Sequence, residues 1–294
     1  GCERSGEQAT MSRPLAITTL GLVHIYRTEG HDVAALSGVD FSVAAGDVVG
    51  LLGPSGSGKS TLLSLLGGLL RPSAGRVFVG EHELSTMSPA QIDAYQAVEA
   101  SLMLQGARRN LVPYLDVREN VAFAQVQARR LGADVPDVGH VLNLVGATAF
   151  ADRPLSALSQ GQLQMSALAV AMASAPGVLL ADEPTSALDR SAREVILDAL
   201  LRVNAQEGTT IVAVTHDPEV AERLPRTVTI RDGRIGGEGR RGREYAVVTA
   251  DGFVPLPVHI RADLPPGTLL RWERSEQGYT VVPEVIGHDS AQTD

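Results

Sequence analysis

The segment that most constrains this chain is Gly53-Pro54-Ser55-Gly56-Ser57-Gly58-Lys59-Ser60-Thr61. It fits G-x-x-x-x-G-K-[ST] at every position. It follows the apolar run Val48-Val49-Gly50-Leu51-Leu52 and leads into a helix-like segment, Ser60–Leu70. An unbroken apolar run of that length is the mark of a strand covered on both faces, as in parallel sheets. The residue types follow from what a chain of phosphates requires. Glycines let successive N–H groups curl around the oxygens, and the helix N-terminus adds its positive end. Lys59 supplies a compact charge for the β- and γ-phosphates, and the Ser60 hydroxyl suits a magnesium ion. Residues 53–61 therefore predict a site for a nucleoside triphosphate.

The rest of the chain fits an α/β frame around that loop. Alternation in Leu15–Tyr26 and Val33–Val43 predicts two strands near a sheet edge, and Arg76–Val79 a third. From about Ser85 to about Leu155 the pattern is mostly helical, with Ser88-Pro89 and Asp116 as caps. After Gly177 strand and helix alternate again. Val178–Ala181 and Thr210–Thr215 are buried strands, Ala192–Asn204 and Val220–Leu224 helices, and Val228–Ile230 with Arg234-Ile235 a hairpin around Asp232-Gly233. Gly236 to Arg243, rich in Gly and Arg, is expected to be a linker. Beyond it short strands and turn pairs predict a small all-β appendage over residues 244–283, then a frayed tail at 284–294. Residues 1–14 are expected to be a disordered lead, with Met11-Ser12 as a candidate start. Gly1-Cys2 resembles the end of a lipoprotein cleavage site, but lipidation there is not expected.

Composition excludes several classes. A net charge of −9 argues against a chain-wide field for nucleic acid or anionic lipid. One cysteine excludes an intramolecular disulfide framework and a cysteine zinc cluster. The longest apolar stretch, Ala167 to Ala181, is broken by Ser174, Pro176 and Gly177, short of the ~18 residues that span a bilayer.

A second constellation supports the first. Val178-Leu179-Leu180-Ala181-Asp182-Glu183-Pro184 puts two acids at the end of an apolar strand, the edge where parallel sheets present ligands. Asp182 suits magnesium, and Glu183 can polarise an attacking water. With these two motifs in hand, the order along residues 15–238 resembles the nucleotide-binding subunit of ATP-binding cassette (ABC) transporters. Leu158-Ser159-Gln160-Gly161-Gln162 resembles the family signature LSGGQ, with Gln160 in place of the first glycine. Ser186-Ala187-Leu188-Asp189 resembles the D-loop and Thr215-His216-Asp217 the switch histidine. Gln105 falls where the family's lid glutamine lies, and Tyr26 where an aromatic residue stacks on adenine. The arginines usual after the signature are replaced by Met165 and Val170, which bears on dimerisation.

The resemblance implies a P-loop ATPase fold, with ATP and Mg²⁺ as cofactors. It implies Glu183, His216 and Lys59 as catalytic residues and Ser60, Gln105 and Asp182 as magnesium ligands. Tyr26, residues 53–61, Gln105, Ser159, Gly161 and Gln162 would bind nucleotide, the last three across a dimer of two copies. The partner would be a separate transmembrane permease, contacted around Gln105–Asn120, with the chain peripheral on the cytoplasmic face of the membrane. Tyr26–Leu36 and Leu66–Pro72 most resemble the macrolide-export and lipoprotein-release branch. A nucleotide-binding regulatory or scaffold protein with weak hydrolysis is the alternative. DNA-repair cassettes need a long coiled coil that Gln105–Leu158 cannot hold, and two-cassette translation factors need a second P-loop. Residues 243–283 resemble the swapped-hairpin fold of bacterial transition-state regulators, with Asp251–Pro257 as the telling piece. Six arginines against five acids over residues 240–283 favour dimerisation of that piece over DNA binding.

Overall fold

A computed structural model describes residues 13–28, 31–240, 243–248, 252, 254, 256, 260, 263–264, 268–276 and 278–284. The expectations for residues 1–12, for most of Asp251–Pro257 and for the tail from 285 lie outside them.

Two sheets build the main body. The first is antiparallel, in the order β2-β1-β4-β5, from β1 (Ile17–Thr28), β2 (His31–Val43), β4 (Ala74–Val79) and β5 (His82–Glu83). The second has seven strands in the order β11-β10-β9-β3-β8-β7-β6. These are β3 (Val48–Leu52), β6 (Ala100–Met103), β7 (Val178–Asp182), β8 (Thr210–Val214), β9 (Arg226–Arg231), β10 (Arg234–Arg240) and β11 (Arg243–Ala246). From β9 to β6 every pairing is parallel, and β10 and β11 add antiparallel strands at one edge. The helices are α1 (Lys59–Leu66), α2 (Pro89–Val98), α3 (Val117–Arg130), α4 (Val138–Val145), α5 (Gln160–Ala171), α6 (Arg190–Glu207) and α7 (Pro218–Arg223).

The central strands are apolar throughout because each face meets a different core. Val178 and Leu180 of β7, with Val212 and Val214 of β8, point into a core shared with α1 and the antiparallel sheet. Leu179, Ala181, Ile211 and Ala213 point the other way, onto α3–α6. This is the two-residue period of a strand applied to both faces at once. Burying each Leu or Val in this way contributes about 1.5–3 kcal/mol. Met165 and Val170 belong to the second core, Met165 buried and Val170 packed against it. Apolar contact occupies the two places where the resemblance implies arginine. Helices α2 and α3 start at the expected caps. Ser88 with Gln91, and Asp116 with Glu119, form reciprocal capping boxes that satisfy two orphan N–H groups each.

The stretch from Ser85 to Leu155 is mostly helical, through α2, α3 and α4, and within it Ala100–Met103 adds a strand, β6, on the edge of the large sheet beside β7. Ala-Ser-Leu-Met has no β-branched residue, so pairing with β7 rather than intrinsic preference makes it a strand. Gly236–Arg240, read as linker, lies inside β10. Its register is locked at Glu238, which accepts from Arg226 Nε at 2.7 Å and also pairs with Arg240. Burial pushes the Glu238 carboxyl up, but these two arginines outweigh it and hold it below the usual range. Arg243–Ala246, assigned to the appendage, pairs with β10 as β11. What remains of the appendage among the described residues is a hairpin of β12 (Leu269–Ser275) and β13 (Gly278–Glu284) and a helical turn in which Leu264 N–H donates to Ile260 O at 3.1 Å, so the appendage is not all-β.

Candidate nucleotide site

The phosphate loop is the turn between β3 and α1, and its glycines have distinct duties. Gly53 has φ +143°, and a Cβ there would stand 2.1 Å from the Ile230 carbonyl oxygen. Gly58 is the N-cap of α1 with φ +102°, and a Cβ there would stand 2.5 Å from the Ala35 carbonyl oxygen. Neither position admits a side chain. No acidic residue sits in the first turn of α1 and no side chain caps it, so its N–H groups face the loop unneutralised. Lys59 is buried, and its Nζ donates to Gly53 O at 2.8 Å and Pro54 O at 2.7 Å. Burial lowers the Lys59 pKa, and the Glu183 and Asp182 carboxylates pull it partly back.

The two acids stand opposite. Ser60 Oγ donates to Asp182 Oδ1 at 3.2 Å. Burial pushes the Asp182 carboxyl up, helped by neighbouring Glu183, while Ser60 and Lys59 act against it. Glu183 has φ +48°, a left-handed conformation that costs a non-glycine residue about 1–3 kcal/mol. Its N–H donates to Val214 O at 3.1 Å, which stitches the turn onto β8. The strained backbone aims its carboxylate between two partners: Gln105 Nε2 donates to Oε2 at 2.9 Å, and His216 Nδ1 lies 2.9 Å from Oε1. Tyr26 stands at the rim, half-exposed, edge-on to His24 at 4.7 Å, with its hydroxyl 3.2 Å from Thr61 Oγ1. A cavity of about 690 Å³ is lined by Tyr26, Ser55, Lys59, Ser60, Gln105, Glu183 and His216 among others.

The structure thus brings together Tyr26, residues 53–61, Gln105, Asp182, Glu183 and His216. It turns Gln105 toward Glu183 rather than toward the Ser60–Asp182 pair. Ser159, Gly161 and Gln162 do not line the cavity. Ser159 instead caps α5 in a box with Gln162, whose N–H donates to Ser159 Oγ at 3.2 Å. Gly161 allows α5 to approach α6, since a Cβ there would meet Ala192 Cβ at 3.1 Å. Within one chain the signature and the phosphate loop are separate surfaces.

Sequence reasoning overlooked Asn110. Its Oδ1 accepts from Leu104 N at 2.8 Å and its Nδ2 donates to Leu104 O at 2.8 Å and Gly106 O at 3.1 Å. The amide closes the loop that carries Gln105. An Asn five residues after the glutamine, behind a glycine, was the available signal. Beside this loop a second cavity, of about 400 Å³, opens between α2, β6 and α5 and includes Leu102, Leu104, Asn110, Ala124 and Val170.

A phosphate-binding turn between a parallel strand and a helix, faced by paired acids, defines a P-loop nucleoside triphosphatase. Residues 36–186 match the family model described as ABC transporter. The lipoprotein-releasing system ATP-binding protein LolD of Anaeromyxobacter dehalogenans is 38% identical over 241 residues, covering 80% of this chain and all of that protein. The macrolide export ATP-binding/permease protein MacB of Syntrophobacter fumaroxidans is 38% identical over 241 residues, but the match spans only 33% of its length. Among solved structures, the ADP- and phosphate-bound post-hydrolysis dimer of the cassette MJ0796 superposes with a TM-score of 0.67 at 30% identity. It covers 77% of this chain and 99% of that one. The chain belongs to the ABC transporter family. It binds and hydrolyses ATP as the ATPase subunit of such a transporter.

Proposed function

We propose that this subunit hydrolyses ATP in the cavity between the phosphate loop and Glu183, and works as a two-copy motor for a separate permease. The observation that carries this reading is Glu183 held between Gln105 and His216 on a strained turn, facing Lys59 and the Ser60–Asp182 pair. Backbone N–H groups of residues 53–61 and the N-terminus of α1 bind the phosphates. Lys59 exchanges its contacts with the Gly53 and Pro54 carbonyls for the β- and γ-phosphate oxygens. Tyr26 stacks on the adenine.

The Ser60 hydroxyl and the Asp182 carboxylate are hard oxygen donors already in contact, a set that fits magnesium, which favours few protein ligands plus phosphate oxygens. Gln105 would complete it through its amide oxygen. Bound magnesium supplies charge neutralisation on the phosphates. Glu183 accepts a proton from the attacking water as the water oxygen bonds to the γ-phosphorus. The bond to the bridging oxygen breaks and ADP leaves, while His216 keeps the Glu183 carboxylate aimed.

Ser159, Gly161 and Gln162 lie on a separate surface, so they complete the site of a second copy. LolD, named as the ATP-binding protein of a lipoprotein-releasing system and matched over its whole length, supports a separate permease of that branch, and MacB, named as an ATP-binding/permease protein, is matched over a third of its length. The cavity beside the Gln105 loop, with exposed Tyr114, Phe123 and Val126 near it in sequence, offers the permease an apolar seat. Among the described residues no helix is long and apolar enough to cross a membrane. We place the chain on the cytoplasmic face through that permease. Lys59→Ala tests the site: ATP binding by the purified chain is expected to be lost, and wild-type affinity and turnover would overturn it.

A further inference from the structure

His216 is anchored on both sides along the chain. Before it, Thr215 is buried and its N–H donates to Leu51 O at 3.0 Å, tying the segment to the strand that feeds the phosphate loop. After it, Asp217 caps α7 by accepting from Glu219 N at 2.9 Å, and its own N–H donates to Thr215 Oγ1 at 3.1 Å. Facing Asp217 is Arg193, in the first turn of α6. Its Nη1 lies 2.6 Å from Asp217 Oδ2 and 3.3 Å from Glu219 Oε2. The Arg193 side chain is 21% exposed, against 65% for His216. Its Nε is buried without a hydrogen-bond partner, among the described residues the one such side-chain atom. A buried N–H left unpaired is costly, so the guanidinium is held there by what its other end grips.

That grip is not needed to fasten α6 to α7. Arg223 already does so through Asp198 at 2.9 Å and through Glu194. What Arg193 adds is a link between two functional segments. Its N–H donates to Asp189 O at 2.9 Å, so it stands one helical turn from Ser186–Asp189, and its side chain holds the neighbour of His216.

We propose that Arg193 is a positioning residue for hydrolysis. Its ion pair with Asp217 keeps His216 Nδ1 against Glu183 Oε1 and couples His216 to the segment 186–189. This rests on the reading of Glu183 and His216 as reacting groups. Misplacing such a group by about 1 Å costs up to 10²-fold. Arg193→Ala is therefore expected to lower kcat by about tenfold or more with KM for ATP within about twofold, the pattern of a lost transition-state interaction. Asp217→Asn removes the same pair from the other side and has the same effect, while Arg193→Lys recovers most of the rate.

A second readout needs no turnover. The His216 imidazole resonance, identified by its loss in His216→Ala, shifts and broadens in Arg193→Ala and returns in Arg193→Lys. Unchanged kcat in Arg193→Ala, or a fall in kcat with the His216 resonance unmoved, overturns the proposal and leaves the site reading standing. Wild-type turnover in His216→Ala overturns the site reading itself, and this proposal with it.

Discussion

The same substitution at two glycines of the phosphate loop should have unequal effects, and the structure supplies the difference. At Gly56, φ is +79° and a Cβ would meet nothing within 4 Å. Gly56→Ala therefore incurs only the left-handed backbone penalty, about 1–2 kcal/mol. At Gly53 the added Cβ would stand 2.1 Å from the Ile230 carbonyl oxygen and 2.9 Å from Ser57 Oγ. Contacts of this kind are essentially never under 3.0 Å, so the β9 carbonyl must retreat by 3.0 − 2.1, or about 0.9 Å. Ile230 is fully buried in a paired strand, and retreat breaks packing on both sides. A backbone region reserved for glycine costs about 1–3 kcal/mol and overpacking about 1–3 more, so Gly53→Ala is expected to lose about 2–6 kcal/mol. For a domain of this size each kcal/mol is worth about 2–4 °C of melting temperature. Thermal melts of the two variants without nucleotide make the comparison. The overpacking of about 1–3 kcal/mol that only Gly53→Ala incurs should make it melt about 2–12 °C below Gly56→Ala. Melting temperatures within about 2 °C of each other would refute the close-approach argument.

Burial raises the Asp182 pKa, so the folded chain binds that proton more tightly than the unfolded chain does. Ionised Asp182 then weakens the fold as pH rises from the ordinary carboxylate range through the folded value, with no further change above it. Asp182→Asn is expected to raise the melting temperature at pH 7 without nucleotide while abolishing turnover; a lowered melting temperature would contradict the sign. Ending the chain after Val248 keeps all eleven strands of the two main sheets, and should leave the melt within about 2 °C of the full chain. Ending it after Gly239 strips β11 and the Arg240 partner of Glu238, and should melt lower; equal melts for the two truncations would deny β11 its place in the sheet.

The loop at 53–61 and the acids at 182–183 are legible in the sequence because their chemistry is local: consecutive residues at the end of one apolar strand. The strands themselves are legible for a related reason, since covering on both faces leaves an unbroken apolar run. What escapes is what tertiary pairing decides. Ala100–Met103 becomes a strand through β7 alone. Gly236–Arg240 reads as a loop by composition, and Glu238, paired with Arg226 twelve residues before it and with Arg240, holds it in a sheet. Asn110 belongs to the site through its bonds to the backbone of Leu104 and Gly106, and its place behind a glycine points to a turn without naming those partners. The meeting of Gln105 and His216 on one carboxylate joins positions 78 and 33 residues from Glu183. Order along the chain suggests the three belong together, and only the fold makes them neighbours.

Glu183→Gln is the most direct test of the central claim that one carboxylate, gripped by Gln105 and His216, drives turnover. The amide keeps the side chain's size but cannot take the proton. Turnover should fall about 10²–10⁴-fold if Glu183 is the general base. ATP binding should survive, because Lys59, the loop and the Ser60–Asp182 pair are untouched. The measurement is ATP hydrolysis by the variant alongside its elution on size exclusion with and without Mg-ATP. The account predicts slow turnover and an ATP-dependent dimer. Undiminished hydrolysis by a species that stays monomeric in Mg-ATP would contradict it.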